Sequence, residues 1–331
     1  IGVRDDGIGV RDGSVRALLE LEGAGLNEKR RESVRRAISR IEERLESCDL
    51  CPRKCEVNRY ETTGFCGQKI DPKVSAIVLH FGEEPPLVRN GGAGAVFFSG
   101  CSMSCVYCQN FAFSQNNNGK ETSPESLGDS FLKISEEGGV CLDLVTPTPN
   151  LYGFLRAYDY ALERGFDLPL VFNTSGYEDI ETLETLDGIV DIYLTDIRYT
   201  DDLTGLKYSL VSDYWTVTRR AVKEMFRQVG AFREDEMRGV IVRHLVLPEG
   251  KAGTEEMAEF VSFELSASVP ISLMSQYRPV HKARDFPELS RRITNAEYNR
   301  ALEIVDGYGL TGWMQHFESE EVFRAKPIGG K

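Results

Sequence analysis

From residue 95 onward, short apolar runs rich in Val, Ile, Leu and Phe alternate with longer amphipathic stretches. The runs cover 95–99, 142–145, 170–172, 189–194, 240–246 and 271–274, and the stretches between most of them cover 123–135, 151–164, 178–186, 216–229 and 254–265. Runs this short and this apolar read as strands buried on both faces, with the amphipathic segments as the helices that cover them. Strands separated by helices predict parallel pairing through right-handed crossovers, an α/β architecture. Polar residues gather where the strands end: Asn173, Thr174 and Ser175; Thr195 and Asp196; Arg243 and His244; Gln276 and Tyr277. Barrels and open α/β sheets alike bind ligands at that end. Because side chains alternate along a strand, only one of Arg243 and His244 can face the interior.

Upstream the pattern changes. Residues 74–80 form one more strand-like run, followed by the turn Asn90-Gly91-Gly92-Ala93-Gly94. Asn27 is placed to cap a helix whose apolar stripe is Val34, Ile38, Ile41 and Leu45. The first residues carry an imperfect repeat, Gly2-Val3-Arg4-Asp5-Asp6-Gly7 against Gly9-Val10-Arg11-Asp12-Gly13, with no core to bury. The expected organisation is a flexible arm at 1–26, a helix and cysteine-rich segment at 27–90, the α/β body at 91–285 and a helical extension at 286–331.

Charge narrows the partners. With 39 basic and 52 acidic residues the chain carries a net −13, which argues against a nucleic-acid backbone as partner, since phosphate contact needs clustered Lys and Arg. The basic stretch from Lys29 to Arg44 lies on the predicted first helix and is interleaved with Glu. No apolar run approaches the roughly 20 residues of a membrane span, and no basic-then-apolar leader opens the sequence. A cytoplasmic chain without a membrane partner is expected.

The 8 cysteines point to metal rather than disulfides in such a chain. Residues 101 to 108 read Cys-Ser-Met-Ser-Cys-Val-Tyr-Cys, so Cys101, Cys105 and Cys108 follow the first strand of the body in one loop, after Gly100. Three thiolates so placed can bind three irons of a cubane cluster and leave the fourth open. A zinc site would want a fourth protein ligand, and no Cys or His follows before Cys141, which opens the next strand and reads as a core residue. Cys48, Cys51, Cys55 and Cys66 form a second group, four thiolates that can enclose one tetrahedral iron or zinc ion or ligate a second cluster. Pro52, Gly64 and Gly67 supply the turns such a loop needs.

The C-x3-C-x2-C loop, its strand and the strand–helix units that follow resemble the radical S-adenosylmethionine (SAM) superfamily over roughly residues 95 to 277. The resemblance implies a partial (βα)6 TIM-like barrel with one open side, a 4Fe–4S cluster on Cys101, Cys105 and Cys108, and SAM chelated to the open iron. Reductive cleavage of its sulfonium would yield a 5′-deoxyadenosyl radical, with the cluster and SAM carrying the hard chemistry. An electron donor such as flavodoxin or ferredoxin is implied too. Further stretches resemble the branch called pyruvate formate-lyase activating enzyme-like: Cys51-Pro52-Arg53-Lys54-Cys55, Phe172-Asn173-Thr174-Ser175-Gly176-Tyr177, Arg243-His244-Leu245-Val246-Leu247-Pro248 and Leu273-Met274-Ser275-Gln276-Tyr277. Two departures stand out. Thr146-Pro147-Thr148 replaces the usual Gly-Gly-Glu that contacts the SAM amino group, and Asp196-Ile197-Arg198 stands where many activases carry Asp and Lys.

SAM contacts are therefore expected from strand-end positions: Tyr107 beside the adenine or cluster, with Asn173, Ser175, Asp196 and Arg243. Asn173 and Ser175 could instead form a turn that caps the next helix, and Asp196 and Arg198 could simply pair with each other. His80, His281 and His316 show no ligand spacing and read as structural. The expected activity is hydrogen abstraction from a protein or peptide. It could serve Cα-methylation with cobalamin as methyl carrier, although the usual Asp-x-His-x2-Gly motif is absent, or installation of a glycyl radical. A non-catalytic iron–sulfur electron carrier is the alternative of another class.

Overall fold

The computed structural model describes the backbone of residues 12–315 and 325–328, and side chains from Asn27 onward. The first element is the helix α1 (Asp12–Glu42). It begins before the expected Asn27, so the arm expected at 1–26 is helical from Asp12, and residues 1–11 lie outside the described residues. Val34, Ala37, Ile41 and Leu45 are buried along its apolar stripe. The basic residues of this helix tie it to the body: Arg30 meets Asp191 at 2.5 Å, Arg31 meets Glu163 at 3.0 Å and Arg35 meets Asp159 at 3.3 Å. What reads as a basic stretch is an anchoring face.

The strands are β1 (Lys73–His80), β2 (Ala93–Phe98), β3 (Lys120–Glu121), β4 (Leu142–Val145), β5 (Leu170–Thr174), β6 (Ile192–Asp196), β7 (Gly239–Leu245), β8 (Ile271–Met274), β9 (Gly312–Met314) and β10 (Ala325–Pro327). After α1 the helices are the short turns α2 (Pro85–Val88) and α3 (Phe111–Ser114), then α4 (Pro124–Glu136), α5 (Leu151–Glu163), α6 (Ile180–Thr185), α7 (Asp202–Ser209), α8 (Tyr214–Val229), α9 (Thr254–Phe260) and α10 (Asn295–Gly307). The sheet runs β10-β1-β2-β4-β5-β6-β7-β8-β9, with β3 on β1. Every neighbouring pair from β2 to β9 is parallel, and β1 is antiparallel to β2, β3 and β10. This is the parallel pairing that the alternation predicts and the partial barrel that the resemblance implies, with β9 as an additional parallel strand. Among the described residues its two end strands, β9 and β10, do not pair with each other, so the sheet stays open.

Alternation along the strands divides the core in two. Leu142, Leu144, Leu170, Phe172, Tyr193, Val240 and Val242 pack outward against the helices, whereas Cys141, Val171, Ile192, Leu194 and Ile241 point inward. Leu87 of α2 joins the inward set and is fully buried. It enters where β1 turns into β2, at the end of the barrel opposite the cysteine loop, and plugs the floor. Its burial is worth about 2 kcal/mol. The extension from 286, expected as helices alone, also supplies β9 at one sheet edge and β10 at the other. Apolar side chains in such short edge strands are too few to register as a pattern. No helix among the described residues is long and apolar enough to cross a membrane.

Candidate active site

The loop of Cys101, Cys105 and Cys108 leaves β2 through Gly100, whose φ of +83° suits glycine. A Cβ there would lie 2.5 Å from the Cys66 carbonyl oxygen, so the two cysteine segments touch at this residue. Each sulfur of the loop has a hydrogen-bond partner, and Cys108 also takes the Asn110 N–H. The Met103 N–H donates to Cys101 Sγ at 3.4 Å, Ser209 Oγ to Cys105 Sγ at 3.0 Å, and Ser114 Oγ lies 3.2 Å from Cys108 Sγ. The α7 backbone fixes the loop, because the Ser209 and Tyr208 carbonyls accept from Ser104 N–H at 3.1 Å and Val106 N–H at 2.8 Å. Burial, reinforced by the neighbouring Cys105, pushes the Cys101 thiol up to about 12 and also raises Cys108. Thiols that perturb one another in this way lie within reach of a shared cationic centre, which would displace their protons. The donor set therefore fits an iron–sulfur cluster. Among the described residues no three Cys, His, Asp or Glu side chains are closed into a ready-made metal site, so the thiols are grouped but not drawn onto one point.

Above the strand ends lies a cavity of about 240 Å³. Its lining brings together Tyr107, Cys108, Asn173, Asp196 and Arg243, and adds Arg198. Tyr107 packs edge-on against Tyr277 at a centroid distance of 5.6 Å. Asp196 and Arg198 do pair, at 2.5 Å, yet both face the cavity. Ser175 is buried outside the lining; its Oγ has no partner among the described residues, and its carbonyl accepts from the Tyr214 hydroxyl at 2.8 Å. The helix after Asn173 is capped not by Asn173 or Ser175 but by Asp179. Arg243 points inward and His244 outward, where Nδ1 sits 2.8 Å from the Ile197 carbonyl and Nε2 sits 3.0 Å from Thr254 Oγ1. Burial lowers His244 to about 4, so it is neutral, with Nδ1–H donating. His80 lies 3.3 Å from Glu83 and lines the cavity, and His281 stacks on Phe111 at 4.6 Å with Nε2 3.2 Å from Gln115 Oε1, beside the cysteine loop; His316 lies outside the described residues.

Beneath the cavity is a polar layer that no sequence motif announces. Arg243 reaches Glu83 and Glu84, each at 3.3 Å, and Asn173 Nδ2 donates to Asp143 at 3.4 Å. Burial works against ionising Glu83, but Arg243 and His80 outweigh it and hold its carboxyl low. Burial together with the Glu83 charge raises Asp143 well above its ordinary value, against the pull of Arg243. An acid between two leucines of a buried strand is the one signal that could have exposed this layer. Cys141 is a fully buried core residue, as expected, under Leu87.

The four other cysteines line one small space together with Arg53, Arg59 and Thr148. Burial pushes the Cys51 thiol up, and raises Cys66 despite the opposing Arg59 charge. The Arg59 guanidinium donates to the Lys69 and Pro149 carbonyls at 2.5 and 2.6 Å and approaches Cys48 Sγ at 3.7 Å. Arg53 Nε donates to the Ser102 carbonyl at 2.8 Å and thereby braces the cysteine loop of the cavity. On the other side of Thr148 lies Glu178, fully buried, accepting from Thr148 Oγ1 at 2.7 Å and from Thr174. Burial raises Glu178 to about 7.

Residues 95–261 match the radical SAM superfamily as a whole-domain pattern. The chain belongs to the radical SAM superfamily. Membership implies a 4Fe–4S cluster and SAM as its working parts. Among relatives of this radical SAM chain, the Methanocaldococcus jannaschii protein MJ0674 is 32% identical over 80% of this chain and 76% of its own length. A second protein of that organism, MJ0808, is 23% identical over 83% of this chain and 84% of its own length. Among solved structures, a radical SAM methyltransferase from Sphaerobacter thermophilus aligns at a TM-score of 0.44 and 16% identity, covering 67% of this chain and 66% of that one. A domain of pyruvate-formate lyase-activating enzyme from Bacteroides vulgatus aligns at 0.35 and 13%, covering 58% and 91%. Likenesses this slight decide nothing about the reaction.

Proposed function

We propose that this radical SAM protein cleaves SAM reductively and uses the resulting 5′-deoxyadenosyl radical to take a carbon-bound hydrogen from a protein or peptide. The observation that carries the reading is the convergence of the three-thiol loop and the polar strand ends on one cavity. Cys101, Cys105 and Cys108 hold the cluster in this reading, which supplies the cleaving electron when bound. Tyr107, Asn173, Asp196 and Arg243 line the SAM site; Ser175, set behind the wall, does not. Asn173 offers its amide, and Asp196 a carboxylate paired with Arg198. The unpaired edges β9 and β10 leave a lateral opening through which a polypeptide loop can enter, whereas a small metabolite would be better shielded in a closed pocket. The four-cysteine loop holds one iron or zinc ion in this reading, its four thiols lining one small space.

Reduced protein, SAM and deuterium-labelled candidate peptides, with and without methylcobalamin, test the reading. Deuterium is expected in 5′-deoxyadenosine. A methylated peptide would identify a cobalamin-assisted methyltransferase, and an EPR doublet on a partner enzyme would identify a glycyl-radical activase. If only a free metabolite donates deuterium the polypeptide reading fails; if no 5′-deoxyadenosine forms at all, an electron carrier is left.

A further inference from the structure

We propose that Ser209, backed by Tyr199, sets the reduction potential of the cluster held on the three-cysteine loop. The inference rests on that loop holding a cluster. Ser209 Oγ lies 3.0 Å from Cys105 Sγ and 2.9 Å from the Tyr199 hydroxyl, and Ser209 and Tyr199 are both fully buried. A ligating cysteine is a thiolate and carries no proton, so the Ser209 hydroxyl must be the donor to sulfur. Its oxygen is then free to accept, and Tyr199 donates to it. The two bonds form a directed chain, Tyr199 to Ser209 to Cys105, in which each polarises the next.

The distance is held by the backbone as well as by the hydroxyl. Ser209 is the last residue of α7, and Leu210 ends that helix in a left-handed conformation at φ 55°. From there the Tyr208 and Ser209 carbonyls take the N–H groups of Val106 and Ser104, on either side of Cys105. The other two sulfurs have no fully buried hydroxyl beside them: Cys101 has the Met103 N–H at 3.4 Å, and Cys108 has Ser114 at 3.2 Å on a half-buried turn together with the Asn110 N–H.

Hydrogen bonds to the sulfurs and shielding from solvent are among the levers that set cluster potentials. Reduction moves one electron from a ferredoxin- or flavodoxin-class donor, which is oxidised by one electron, onto the cluster. The proton stays on Ser209 Oγ throughout. The added negative charge is shared by the sulfurs, so a fixed donor in a low-dielectric site stabilises the reduced state more than the oxidised one. Ser209 is thus a positioning residue that makes the cluster easier to reduce.

The test is an EPR-monitored redox titration of the full chain after anaerobic reconstitution, with iron and sulfide quantified. Ser209→Ala with full cluster content is expected to hold about tenfold less reduced cluster at a fixed potential, a shift of about 59 mV to more negative values for a one-electron couple. Ser209→Thr, which keeps the hydroxyl, should restore the parent value, and Tyr199→Phe should give a smaller shift of the same sign. A fully loaded Ser209→Ala variant with the parent potential overturns the inference. If that variant takes up no iron, Tyr199→Phe decides, and an unchanged potential there overturns it instead. Failure of the parent chain to take up iron and sulfide would defeat the reading of the loop itself, and the inference with it.

Discussion

His244 and Glu178 are two buried groups whose protons answer to pH in opposite senses. His244 drops from 6.5 to about 4 on folding, so the unfolded chain binds more protons below 6.5, and this contribution is present above that pH and lost as pH falls towards 4. Glu178 rises from 4.5 to about 7, so its contribution is present below 4.5 and lost as pH rises through 7. Each shift of this size corresponds to about 3 kcal/mol. The two slopes nearly cancel in the parent chain between pH 4.5 and 6.5. Glu178→Gln should remove one of them, so that relative to the parent its stability climbs with pH by about 2 kcal/mol across that window, as urea denaturation at pH 4.5 and 6.5 will measure. An unchanged difference between variant and parent at the two pH values would contradict the assignment. The sequence allowed only one of Arg243 and His244 to face inward, by alternation. It gave no sign of which, because that depends on Glu83 and Glu84 arriving from the turn between β1 and β2 to meet an arginine.

The least legible element was α7, and it matters to the cysteine loop more than any other helix. Its apolar residues point the wrong way for pattern reading: Leu203, Leu206 and Leu210 are exposed, while Gly205, Tyr208 and Ser209 are buried. A small, a phenolic and a hydroxyl side chain facing inward leave no amphipathic stripe to detect. The four-cysteine segment stood out by its spacing, and the structure gathers the four side chains around one small space. Changing Cys48 and Cys51 to Ala together should remove one metal ion per chain, loosen residues 45 to 70 in hydrogen exchange, and leave the cluster of the other loop in place. Metal analysis of variant and parent that agrees within error would rule the second site out.

For the molecule as a whole, strand order followed from the alternation of short apolar runs and amphipathic helices, and every parallel pairing from β2 to β8 agrees with it. The edges did not follow, because β9 and β10 are three residues each, with only Trp313 and Met314 packed against the core, too few for a pattern. Gln315 extends that role into the cavity: Ser275 N–H donates to its Oε1 at 3.0 Å, and its Nε2 donates to Gln276 at 3.1 Å. Ending the chain before Gly312 should bare the edges of β8 and β1, cost about 2 kcal/mol, and lower the Tm by roughly 4 °C or more. Bared edges invite pairing between copies, so size-exclusion chromatography with light scattering should show larger species. A monomer with the parent Tm would show that the edge strands are dispensable.

The contact at Gly100 bears on how the protein is matured in the cell. With the Cys66 carbonyl pressed against that glycine and Arg53 tied to Ser102, one flank of the Cys101–Cys108 loop is walled off once the four-cysteine segment has folded. A scaffold delivering iron and sulfide would then come in from the cavity mouth, onto the site proposed for SAM. Loading and turnover would compete for one entrance, and excess SAM added before iron should slow the filling of the site.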